Sequence, residues 1–97
     1  LIISSGNQAT ADLFNGINSR DLRKIPSEIK TKALNKLDIL NAVDNLDDLK
    51  SPPGNRLEAL KGNLKGFYSI RINNQWRIIF QWQNGNVSEV QIIDHHD

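Results

Sequence analysis

Residues 60–82 read LKGNLKGFYSIRINNQWRIIFQW: a basic turn punctuated by glycine, then two strands joined by an Asn-rich loop. Tyr68, Ile70 and Ile72 fall on one face of the first predicted strand, and Phe67, Ser69 and Arg71 on the other. In the second, Trp76, Ile78, Phe80 and Trp82 share a face; Gln75, Arg77, Ile79 and Gln81 share the opposite one. Alternation with a period of two marks strands with one face in a core. Residues directly opposite in an antiparallel pair lie on the same face, so a turn centred on Asn74 aligns the two apolar sets. Ile70 then faces Ile78, and Arg71 faces Arg77. Two like charges directly opposite are unfavourable. Either water solvates them or an anion lies between them, and both readings stay open here.

Downstream, Asn84-Gly85 is a strong hairpin signal, because both residues tolerate positive φ. A two-residue loop there pairs Gln81 with Ser88, Ile79 with Val90, Arg77 with Ile92 and Gln75 with Asp94. The last strand is predicted over Val87–Ile93. This register places Arg71, Arg77 and Asp94 on one face, with His96 next in line. Lys61 enters from the strand before, predicted over Arg56–Leu60.

Upstream, Ser51-Pro52-Pro53-Gly54-Asn55 separates a helical half from a strand half. Arg20–Val43 holds the best helix signal, with Pro26 placed as a first helical residue. Ile29, Ala33, Leu37 and Leu40 form its apolar stripe, widened by Leu34 and Val43. Leu46 and Leu49 turn inward after it. Gln8–Asn15 is a short helix stopped by Gly16, and Leu1–Ser4 a brief strand. Helices followed by an antiparallel meander give an α+β class.

The chain has 97 residues, which suits one domain spanning 1–97. No apolar run approaches a membrane span, and no membrane partner is expected. Cysteine is absent, which rules out thiol chemistry and fits a reducing cytoplasm. Methionine is absent too, so Leu1 is not expected to be the translation start. Net charge is +1, but it is distributed in blocks. Arg20–Leu37 carries six basic residues against Asp21 and Glu28, Asp38–Leu49 holds four aspartates, and Lys50–Arg77 carries six basic residues against Glu58 alone. Such blocks can fold into basic and acidic surfaces.

Asp94-His95-His96-Asp97 ends the chain. Histidine titrates near neutrality and can carry a proton, while arginine presents a fork of donors to phosphate. A proton carrier beside fixed cations is what phosphodiester cleavage requires. A solvated tail is the plain alternative. No metal or other cofactor is expected, because adjacent side chains on an extended chain point opposite ways and do not converge.

Several segments resemble the HigB family of bacterial toxins, in the RelE/ParE superfamily. They are LFNGINSRDLRKIP (Leu13–Pro26), SPPGNRLEALKG (Ser51–Gly62), YSIRINNQWRIIF (Tyr68–Phe80) and the closing IIDHH that runs through His96. The resemblance implies a small curved antiparallel sheet against two N-terminal helices. It implies a ribosome-dependent, metal-independent endoribonuclease that cuts translated mRNA through the 2′-hydroxyl. It also implies neutralisation by a HigA-type helix-turn-helix antitoxin, through which alone the toxin meets operator DNA. Carried over by position, Lys61, Arg77, Asp94 and His96 match the proposed catalytic set. His96 carries the proton, Lys61 and Arg77 stabilise phosphoryl charge, and Asp94 orients His96 or contacts a base. Arg71, Lys65, Phe67 and His95 are the candidate substrate-binding residues. Two features depart from the family pattern: His95 replaces the usual tyrosine, and Ser5-Gly6-Asn7-Gln8 is uncharged where relatives are often basic. The alternatives are a non-catalytic poison of a protein such as gyrase, as in ParE-like relatives, and an inactive variant acting through antitoxin binding and operon repression.

Overall fold

The computed structural model describes residues 1–94. Its four strands form one antiparallel sheet in the order β1-β2-β3-β4. They are β1 (Glu58–Ala59), β2 (Phe67–Arg71), β3 (Trp76–Gln83) and β4 (Asn86–Asp94). Two helices, α1 (Gln8–Asn15) and α2 (Ser27–Ala42), supply the other layer. This is the α+β architecture expected.

The β2–β3 hairpin has the expected register, with Ile70 opposite Ile78 and Arg71 opposite Arg77. Asn73 closes its turn: the side-chain Oδ1 accepts from the amides of Gln75 at 2.8 Å and Trp76 at 2.7 Å. Ile70, Ile78 and Phe80 are fully buried on the helix side. Tyr68 stacks on Phe80 with ring centroids 6.1 Å apart.

The stripe of α2 covers that face. Ile29, Ala33, Leu37 and Leu40 are all buried, while Leu34 and Val43 pack at its margin. Pro26 stands one residue before the helix, not in its first turn. Leu49 is fully buried and Leu46 partly so, in a 3₁₀ turn over Leu46–Lys50. In α1 the Asn7 side chain accepts from Thr10 N, and Gly16 ends the helix at φ 73°. Thr10 ties this helix to the sheet, because its buried Oγ1 accepts from Ile92 N at 2.9 Å.

The proline-rich break is anchored by Asn55, which is fully buried. Its Nδ2 donates to the carbonyls of Leu49 and Ser51, both at 3.2 Å, and its Oδ1 accepts from Lys36 Nζ. Truncating it leaves two carbonyls and an ammonium short of partners. Asn55→Ala is therefore expected to destabilise the fold by about 2–3 kcal/mol, read as a drop in the denaturant midpoint at unchanged slope.

Three further expectations are corrected in the strands. β1 is two residues long, not five, because Arg56 adopts a left-handed conformation (φ 47°) that interrupts the extended chain. Leu1–Ser4 is not a regular strand: the segment meets β4 through two isolated parallel bridges, Ile2 to Val87 and Ser5 to Val90. The third concerns β4. Gln81 pairs with Ser88 as expected, but a bulge follows, and Ile79 pairs with Gln91, Arg77 with Ile93 and Trp76 with Asp94. Glu89 sits in the bulge at φ 51°, and its amide donates to Ser4 Oγ at 2.9 Å. The physical reason lies in the apolar spacing. Val87, Val90 and Ile92 are all buried, and a gap of three followed by one of two cannot share a face of a regular strand. One extra residue in the strand restores the match.

Candidate active site

The site lies on the sheet face away from the helices. Arg71 and Arg77 face each other across the β2–β3 ladder, both half-buried. Arg77 Nη1 is buried and has no hydrogen-bond partner among the described residues. A buried donor without a partner is costly, and a guanidinium presents its donors in a fork that fits phosphate.

This face is not simply solvated. Ile79 is 4% exposed and Ser69 5%, although both point away from the main core. The segment after β1 folds over them. Leu60 and Leu64 line a cleft together with Ile79, Ile93 and Arg77. The cleft is about 100 Å³, with Glu58 and Ser69 also on its wall.

Lys61 and Lys65 flank the 3₁₀ turn Gly62–Leu64 and are exposed. Gly62 at φ 65° and Gly66 at φ 97° supply left-handed conformations that a side chain would strain. Both lysines line a neighbouring groove of about 520 Å³ with half-buried Phe67 and Tyr68. Leu60 belongs to both cavities. The structure therefore gathers Arg71 and Arg77 on one rung, and Lys61, Lys65 and Phe67 in an adjoining groove.

Asp94 is not on the arginine face, a correction that follows from the bulge. It stands opposite Trp76, and Ile93 takes the place beside Arg77. Its Oδ2 accepts from Gln75 Nε2 at 3.2 Å. His95 and His96 lie outside the described residues. Of the basic block in residues 20–37, Arg20, Arg23, Lys24 and Lys32 are exposed, but Lys36 is committed to Asn55. Three contributors to the cleft escaped the reading of the residues: Glu58, Leu64 and Ile93. The signal for Glu58 was present, since it is the one acid between Lys50 and Arg77.

Among the described residues, no helix is long and apolar enough to cross a membrane. The family model for the RelE-like toxin of type II toxin–antitoxin system HigB matches residues 12–96. Toxin HigB-1 of Vibrio cholerae serotype O1 is 56% identical over 63 residues, covering 65% of this chain and 66% of that protein. The chain thus spans just under two thirds of that relative's length. Endoribonuclease HigB of Proteus vulgaris is 39% identical over 41 residues, 42% of this chain and 45% of that one. Among solved structures, the YoeB–YefM complex from Staphylococcus aureus superposes with a TM-score of 0.61 at 23% identity, covering 99% of this chain and 97% of that one. YafQ from Escherichia coli superposes at 0.59 with 19% identity, covering 98% and 92%. These two likenesses concern the fold. By the family match over most of its length, the chain belongs to the HigB-like toxins, the RelE-like toxins of type II toxin–antitoxin systems.

Proposed function

We propose that this chain is an endoribonuclease that cleaves mRNA on the ribosome, and that a HigA-type antitoxin neutralises it. The observation that carries the reading is the Arg71–Arg77 rung, which sets two half-buried arginines directly opposite each other. An anion between the two guanidinium groups offsets the repulsion between them. The phosphodiester of RNA is such an anion. A non-catalytic poison of a protein target has no use for this arrangement.

The reaction is a transesterification within the RNA. The 2′-oxygen attacks the adjacent phosphorus as a base removes its proton. The bond to the 5′-oxygen breaks, and an acid protonates that leaving oxygen. The products are a 2′,3′-cyclic phosphate and a 5′-hydroxyl. Arg77 and Lys61 hold the charge that develops on the phosphoryl oxygens, and Arg71 holds a flanking phosphate. His96, carried over by the family resemblance, moves the proton, a role that imidazole chemistry suits. Asp94, bonded to Gln75 across the strand end, anchors the chain just before His96. Lys65, Phe67 and His95 contact the neighbouring nucleotides. No step calls for a metal.

One substitution in the substrate tests this chemistry. An mRNA carrying a single 2′-deoxynucleotide at a mapped cut site is expected to survive at that site while other sites are cut. Hydrolysis through the deoxy linkage, or a 5′-phosphate on the product, contradicts attack by the 2′-hydroxyl.

A further inference from the structure

We propose that Glu58 selects the base beside the scissile phosphate, favouring bases that carry an exocyclic amino group over uracil. The inference rests on the reading of this face as an RNA site and deepens it. Leu60, Leu64, Ile79 and Ile93 give the cleft an apolar lining, and Arg77 lines it too. A cleft of this kind beside a guanidinium suits a planar base joined to a phosphate. Glu58 pairs with Ser69, which pairs with Ile79, so Glu58 lies on the same face. That row is two residues from the arginine rung, roughly 7 Å along the strands. This is of the order of the separation between a nucleotide's phosphate and its base.

Glu58 is exposed, and it has no ion-pair partner among the described residues. It does not serve as a counter-charge to Arg71 or Arg77. A lone carboxylate on a face that binds a polyanion repels that polyanion, so its contribution must be directional. An ionised carboxylate only accepts hydrogen bonds. Adenine, cytosine and guanine each offer an amino group to it. Uracil has none, and its single N3–H lies between two carbonyl oxygens that a carboxylate repels. The carboxylate at the mouth of the cleft therefore ranks the bases by donor.

The test is a titration of the isotope-labelled chain with nucleoside 5′-monophosphates, followed through the amides of Glu58, Leu64 and Ile93. AMP, CMP and GMP are expected to bind about tenfold more tightly than UMP. Purine riboside monophosphate, which is AMP without its amino group, is expected to fall with UMP. Glu58→Ala is expected to bring all of these ligands to a common affinity. Glu58→Gln, whose amide also donates, is expected to recover UMP binding while keeping the fold. Equal binding of UMP by the unaltered chain overturns the proposal. So does a ranking that survives Glu58→Ala, or the absence of any response at these amides. Binding is read without ribosomes or cleavage, so failure here leaves the nuclease reading standing. Failure of that reading appears separately, as uncut mRNA.

Discussion

Arg77→Ala is expected to lower single-turnover cleavage of ribosome-bound mRNA by about 10²–10³-fold, the usual loss when one preorganised donor to a developing anion is removed. Arg77 is held by β3 on the rung it shares with Arg71, and its Nη1 is buried without a partner. The strand and the half-buried setting hold this guanidinium before the substrate arrives, so much of the cost of orienting it is already met in folding. Stability should move the other way. Removing one of two opposed guanidinium groups relieves a like-charge pair, an effect on the order of 0.2–1 kcal/mol. The melting temperature is therefore expected to hold or rise while activity collapses. Arg77→Lys separates charge from geometry, since a lysine keeps the charge and loses the fork. Its rate is expected to fall between the other two. Equal loss of stability and activity in Arg77→Ala would make the residue a structural one.

His96→Ala is expected to lower the same rate by about 10²–10⁴-fold, the range for a missing general acid or base. Ribosome binding should be unchanged, because a proton carrier acts in the transition state and not in docking. Growth arrest on expression is the cellular readout. If arrest persists undiminished in His96→Ala, another group carries the proton, and His95 is the next to replace.

The hairpin at the centre of the site was legible because two signals agreed. Apolar alternation chose the faces, Asn73-Asn74 supplied the turn, and together they placed Arg71 opposite Arg77. The stripe of α2 was legible for the same reason: Ile29, Ala33, Leu37 and Leu40 needed no tertiary information to be assigned inward. β4 was misread where two signals conflicted. Counting outward from Asn84-Gly85 gave a regular ladder, whereas the spacing of Val87, Val90 and Ile92 demanded an extra residue. Packing won, since a bulge at Glu89 costs less than turning Val90 to solvent. That one-residue shift moved Asp94 off the arginine face and brought Ile93 onto it. The cleft was not legible because it depends on tertiary folding. Nothing local to Gly62–Leu64 says that Leu64 will share a cleft wall with Ile79 and Arg77.

The central claim is that the Arg71–Arg77 rung holds a phosphate during ribosome-dependent cleavage. The most direct measurement is primer extension on a reporter mRNA with purified ribosomes, comparing the unaltered chain with Arg77→Ala. The expected result is a set of sharp cuts within codons, absent without ribosomes and lost in Arg77→Ala although that variant keeps its melting temperature. Intact mRNA at saturating protein, or undiminished cuts by Arg77→Ala, would contradict it.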